Sequence, residues 1–141
     1  MEYDLAGKVI GCAMEVHREL GSGYLEKVYE NALLVALGES GIRADSQIPL
    51  KVTYHGVEVG DYIADIIVED KLVVELKAVQ NLIPVHEMQL VSYLKSTGID
   101  EGVLLNFGSS RLQYKKKYRD LDDALRRKAI NKSHSVNSAI L

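Results

Sequence analysis

At 141 residues, with 47% hydrophobic and 26% charged residues, the chain has the make-up of one globular domain with a single core, which excludes a disordered or fibrous protein. No apolar run approaches the ~20 residues of a membrane helix, and the opening M-E-Y-D-L-A-G-K lacks the charged-then-apolar order of a signal peptide, so a cytoplasmic protein with no membrane partner is expected. The net charge of -3 conceals a split: residues 1–110 hold 8 Lys and Arg against 17 Asp and Glu, whereas residues 111–141 hold 9 against 3.

Leu5, Val9, Cys12, Ala13, Val16 and Leu20 recur at helical spacing and predict a first amphipathic helix. Cys12, the lone cysteine, excludes an internal disulfide, suits a reducing compartment and reads as a small core filler beside Val9 and Val16. The turn Gly21-Ser22-Gly23 stops that helix. A second is expected from about 25 to 39, with Leu25, Val28, Ala32, Val35 and Ala36 as its buried stripe and Gly38 and Gly41 at its end. The period then changes to two. Ile48, Leu50 and Val52 alternate with polar neighbours, His55-Gly56 suits a hairpin turn, and strands are expected over 57–68 and 72–79. Pro84 opens a helix running to about Ser96, with Met88, Val91 and Leu94 as its buried stripe. Gly102 to Phe107 reads as a strand buried on both faces, Leu112 to Tyr118 as a further strand, and Asp120 and Asp123 suit the cap of a short helix through Arg127. The order α-α-β-β-β-α-β predicts a mixed sheet with helices against it: one domain over residues 1–130, and a mobile tail over 131–141.

Chemistry concentrates between Ile63 and Val79, where Asp65, Glu75 and Lys77 stand among residues suited to burial. An ionised carboxylate in such surroundings costs several kcal/mol unless it is paired or binds a metal. Alternate residues of a strand share a face, so Asp65 lies with Ile63 and Ile67, and Glu75 with Val73 and Lys77. Whether the two sets meet is a matter of parity. A two-residue loop sets Asp65 opposite Val74; the three-residue loop Glu69-Asp70-Lys71 sets it opposite Glu75. Two facing carboxylates repel, and a hard divalent cation with oxygen ligands relieves this, with Lys77 on the same face to stabilise charge on a phosphate. From spacing alone this reading is balanced against a plain Glu-Lys-Asp ion cluster.

Asp65 followed by Glu75-Leu76-Lys77 resembles the metal-binding core of the PD-(D/E)XK nuclease superfamily. Gly23-Tyr24-Leu25-Glu26-Lys27-Val28-Tyr29 is similar to the signature of its GxxExxY family, as are V-H-R-E-L-G (16–21), Y-E-N-A-L (29–33), P-V-H-E-M-Q-L-V-S-Y-L-K (84–95) and L-L-N-F-G (104–108). The likeness spans roughly residues 5 to 118. It implies a restriction-endonuclease-like αβββαβ core, an α/β (α+β) fold with a mixed central sheet flanked by helices. It also implies Asp65, Glu75, the Leu76 carbonyl and Glu26 as ligands of Mg²⁺ or Mn²⁺, Lys77 as the catalytic lysine, and Gln89 as a residue that orients water, metal or backbone. Gln89 and Tyr93, four apart on one helix face, match the family's Q-x₃-Y. His86 is expected to support the site, Tyr29 to pack, and His17 to be a surface or satisfied core histidine. Ala64 stands where the superfamily's name has proline.

The resulting expectation is a metal-dependent nuclease hydrolysing nucleic-acid phosphodiester bonds, DNA before RNA. Tyr93, Arg111, Lys115 and Lys117, with Lys116 and Arg119, would meet the substrate. An acidic body with a basic end fits this, although a solvated basic strand fits the composition equally well. A homodimer suits a domain this small, since cutting both strands at once takes two sites. The alternative is a non-catalytic nucleic-acid- or protein-binding module retaining the nuclease fold.

Overall fold

The computed structural model describes residues 4–119. The elements follow the order α1 (Leu5–Leu20), α2 (Glu26–Glu39), β1 (Ala44–Tyr54), β2 (Val57–Val68), β3 (Leu72–Lys77), α3 (Pro84–Thr97), β4 (Glu101–Asn106) and β5 (Gln113–Tyr118). The expected helix at Asp120–Arg127 and the 131–141 tail lie outside the described residues.

Local chemistry sets the boundaries. Asp4 caps α1 by accepting the Gly7 N–H at 2.9 Å. His55 and Gly56, with φ of 51° and 77°, form the β1–β2 turn; two successive left-handed residues match the right-handed twist of a hairpin. Pro84 sits at the start of α3, and Gly98 ends it in the left-handed conformation.

The strands form one sheet in the order β1-β2-β3-β4-β5. β3 and β4 are parallel and joined across α3, while the other neighbours are antiparallel. On one face, α1 and α2 bury Val9, Ala13, Tyr29, Leu33 and Leu37 against Ile66, Val74, Leu76, Leu105 and Phe107. On the other, α3 lays Leu90, Tyr93 and Leu94 over Ala64, Ile67, Val73 and Leu104. With a layer on each face, β4 is buried from Gly102 to Asn106, as its unbroken apolar run implies. The architecture is α+β, a mixed five-stranded sheet flanked by helices.

Three sequence expectations are corrected. The buried face of α2 is Tyr29, Glu30, Leu33 and Leu37, while Leu25, Val28 and Val35 are exposed. On α3 the stripe is Leu90, Tyr93 and Leu94, and Met88 is 67% exposed. The third strand stops at Lys77, because Asn106 Oδ1 takes the Val79 N–H at 3.0 Å and its amide nitrogen donates to the Val79 carbonyl at 2.9 Å, pulling the chain off the ladder.

One irregularity places the site. The β1–β2 ladder is interrupted between the pairs Ser46–Ile66 and Ile48–Ala64, where Gln47 has a φ of 54°. Ala64 packs on the α3 side and Ile66 on the opposite side, although residues two apart on a regular strand share a face. The alternation slips at Asp65.

Candidate active site

The β2–β3 turn is the three-residue loop Glu69-Asp70-Lys71, closed by the Lys71 N–H donating to the Val68 carbonyl at 2.9 Å. Glu69 and Asp70 carry positive φ of 53° and 56°. From it the ladder runs Val68–Leu72, Ile67–Val73 and Ile66–Val74. The next step brings Asp65 opposite Glu75.

There the side chains take over from the backbone. The Asp65 N–H donates to Glu75 Oε1 at 2.9 Å, and the Leu76 N–H donates to Asp65 Oδ2 at 2.8 Å. Glu75 is only 4% exposed. Burial first, and the charge of Asp65 second, push its carboxyl up to about 9. Burial raises Asp65 as well, against the lowering effect of the Leu76 N–H. At neutral pH the pair therefore retains a proton, the electrostatic mark of a site that lacks positive charge.

Lys77, half-buried at the end of β3, donates from Nζ to Gln89 Oε1 on α3 at 3.1 Å. Glu26, on the first turn of α2, is exposed along its length, but its carboxyl is raised by partial burial and then by the charge of Asp65, and lowered by Lys77. The structure thus brings Asp65, Glu75, Lys77 and Gln89 together from two strands and one helix, with Glu26, on a second helix, near enough to feel the charges of Asp65 and Lys77.

Three residues of this neighbourhood escaped the sequence reading. Glu30, one turn after Glu26, is buried, and its carboxylate accepts from Lys27 Nζ at 2.7 Å and from Gln47 Nε2 at 2.8 Å. Gln47 is the left-handed residue at the break beside Asp65. Asn106, fully buried beside Lys77 in the β3–β4 register, ties the Val79 backbone, the Gly108 N–H and Gln113 together. Glu30 and Asn106 left traces in the sequence, the first four residues from Glu26 on one helix face and the second inside L-L-N-F-G, whereas Gln47 left none.

The other candidates are placed as follows. Tyr93 is 5% exposed, its ring 5.5 Å from that of Tyr62, and burial followed by the charges of Glu75 and Asp65 pushes its hydroxyl up to about 12. It lies mostly buried, its ring packed against that of Tyr62. Lys115 aligns with Glu75 through Leu104, two strands away and about 10 Å across the sheet. Lys117 is drawn to Glu87 at 2.6 Å, and Arg111 stands exposed in the loop before β5. His86 Nδ1 accepts the Ile83 N–H at 3.2 Å at the start of α3. Tyr29 packs on Phe107 at 4.7 Å and donates its hydroxyl to the Gly21 carbonyl, and a His17 ring nitrogen bonds the Ser109 carbonyl at 3.0 Å.

The donor set suits a hard divalent cation: two oxygen ligands already paired, short of positive charge, with a third acid nearby. Among the described residues, however, no three His, Cys, Asp or Glu side chains converge closely enough to hold a metal ion by themselves. The shell would need water, substrate or a backbone carbonyl.

The molecule is thus an α+β domain with a carboxylate pair across β2 and β3 and a lysine at the end of β3, its central strand. Its fold is similar to that of the crystal structure of SSO0001, with a TM-score of 0.56 and 18% sequence identity, over 80% of this chain and 60% of that one. The chain therefore spans about 60% of the length of SSO0001. An alkaline exonuclease (LHK-Exo) from Laribacter hongkongensis aligns with a TM-score of 0.49 and 14% identity, over 96% of this chain and 79% of that one. No curated protein sequence matches the chain. The profile of the PD-(D/E)XK nuclease superfamily matches residues 3–119, and the chain belongs to that superfamily. Among the described residues no helix is long and apolar enough to cross a membrane.

Proposed function

We propose that the protein hydrolyses phosphodiester bonds of nucleic acid with the help of Mg²⁺ or Mn²⁺, and that it belongs to the GxxExxY branch of its superfamily. The observation that carries this reading is the Asp65–Glu75 pair, hydrogen-bonded and charge-starved, beside a lysine anchored by Gln89. Gly23, Glu26 and Tyr29 of the signature support the branch.

Asp65, Glu75 and the Leu76 carbonyl would hold the cation, with Glu26 from α2. A bound divalent cation supplies Lewis-acid stabilisation of phosphate charge and acidifies water at neutral pH. Asp65 and Glu75 orient one another through the Asp65 and Leu76 N–H groups, so neither carboxylate swings freely. Gln89 Oε1 holds the Lys77 ammonium beside the pair, where it meets charge developing on phosphoryl oxygens. Lys115 and Arg111 stand ready for flanking phosphates.

Glu75→Ala and Lys77→Ala, each with an unchanged circular dichroism spectrum, are expected to abolish cleavage of plasmid and oligonucleotide substrates in Mg²⁺ or Mn²⁺. Cleavage surviving both changes would sink the reading. A second reading is a binding module that keeps the fold without turnover. Calorimetry with Mn²⁺ followed by the same cleavage assay separates the two, since binding without turnover selects the module.

A further inference from the structure

A groove of about 480 Å³ opens between β2 and α3, lined among others by Tyr62, Val85, His86, Met88, Gln89 and Tyr93. It is continuous with the site just described: Gln89, one of its walls, is the acceptor of Lys77 Nζ. Its lining is largely apolar and exposed, with Tyr62 at 45%, Val85 at 56% and Met88 at 67%. The Tyr62 ring is braced from below by Tyr93, with centroids 5.5 Å apart and planes at 54°, so it offers a fixed aromatic face to solvent.

Among the described residues no lysine or arginine lines this groove. It does offer hydrogen-bond donors. His86 Nδ1 accepts the Ile83 N–H, which leaves the ring proton on Nε2. Burial and the charge of Lys77 lower the His86 pKa and favour that neutral form. Among the described residues, no hydrogen bond engages the Gln89 amide nitrogen. An aromatic face, a thioether and two edge donors match a flat, neutral ligand with acceptors on its rim. A nucleobase meets that description.

We propose that this groove holds an unpaired nucleobase next to the scissile phosphate, so that the substrate is single-stranded or locally unpaired nucleic acid. The proposal rests on the nuclease reading and adds the substrate class. A base inside a duplex has both faces covered by stacking, and it enters such a groove only after leaving the helix.

The test uses the full chain carrying Lys77→Ala, in Ca²⁺, with a single-stranded DNA oligonucleotide containing 2-aminopurine and with the matching fully paired duplex. Tight binding of the single strand, with quenching of 2-aminopurine, is expected. Adding Tyr62→Ala should weaken it about 5- to 150-fold, the range for loss of one base–aromatic stack. Tyr62→Trp should restore binding, and duplex affinity should change little with either substitution. Single-strand binding and quenching that are unchanged by Tyr62→Ala, or an equal loss on single strand and duplex, overturns the base site while leaving the nuclease reading intact. If the unsubstituted chain neither binds nor cuts any nucleic acid, the nuclease reading fails and this inference falls with it.

Discussion

The Asp65 amide lies 2.9 Å from Glu75 Oε1, and Asp65 Oδ2 lies 2.8 Å from the Leu76 amide, so each acid satisfies the backbone of the other's strand where their ladder stops. A buried carboxyl group, that of Glu75, and a half-buried one, that of Asp65, are thereby held face to face, an arrangement that only a proton or a cation stabilises.

A pH dependence follows from this pair. The folded-state pKa of Glu75, about 9, stands above its ordinary 4.5. A raised folded pKa means the native state holds the proton more tightly than the unfolded chain. The contribution to stability is therefore complete below about pH 4.5 and is lost as pH rises toward 9, at up to about 1.4 kcal/mol per pH unit. Urea melts in EDTA at pH 5, 7 and 9 should show stability falling with pH. Glu75→Gln, which keeps the shape and carries no charge, should remove most of that fall and be the more stable protein at pH 9. Mn²⁺ should stabilise the unsubstituted chain at pH 8 far more than at pH 5. Parallel pH curves for the two proteins would contradict the account.

Glu30 acts through Gln47. Its buried carboxylate holds the Gln47 amide, and Gln47 keeps a left-handed backbone at the break beside Asp65. A non-glycine residue held there costs about 1–2 kcal/mol, which the surrounding contacts must supply. Glu30→Ala should lower kcat roughly 10- to 100-fold, the usual range for a residue that orients a metal ligand, with KM little changed. Glu30→Gln, which retains an acceptor for Gln47, should recover most of the rate. Equal loss in both variants would show that the charge of Glu30, rather than its grip on Gln47, is what matters.

The hairpin centre was legible because alternation and a three-residue loop are local properties, and they bring Asp65 to Glu75 without knowledge of the rest of the fold. The buried face of α2 was not. That helix carries apolar residues nearly all round, so the stripe through Leu25, Val28 and Val35 fits the helical period as well as the true one through Tyr29, Leu33 and Leu37. The choice is made by the sheet it packs on. On α3 the same ambiguity hid the burial of Tyr93 and the exposure of Met88. Glu30 and Gln47, 17 residues apart, meet only because α2 and β1 pack together, and no local pattern announces a glutamine with positive φ.

Behind Lys77, Gly108 passes so close to the chain leaving β3 that an added Cβ would lie 2.4 Å from both the nitrogen and the carbonyl oxygen of Val79. Backbone atoms cannot yield as a flexible side chain does. Gly108→Ala should therefore destabilise by about 2–3 kcal/mol, an overpacking cost, and lower Tm by roughly 6–12 °C for a domain of this size. Because Asn106 ties the same Val79 to Gly108, the loss should extend to activity at temperatures where the variant is still folded. A melt within 2 °C of the unsubstituted protein would show that this close approach relaxes freely.

Lys115 and Lys117 share the α3 side of β5, yet they are not equivalent. Lys117 Nζ sits 2.6 Å from Glu87, and its hydrogen bond, with Lys115 acting at longer range, holds that carboxyl below the usual range. A lysine already neutralised releases few counterions from a phosphate, whereas an unopposed one contributes roughly 0.7–0.9 to the slope of log affinity against log salt. Lys115→Ala should reduce that slope by about this amount and weaken oligonucleotide binding at 50 mM salt. Lys117→Ala should change it much less, and Glu87→Ala, by freeing Lys117, should steepen the slope and tighten binding. Fluorescence anisotropy across a salt series measures all three. If Lys117→Ala costs as much as Lys115→Ala, Glu87 does not occupy the lysine in solution, and both side chains count as phosphate contacts.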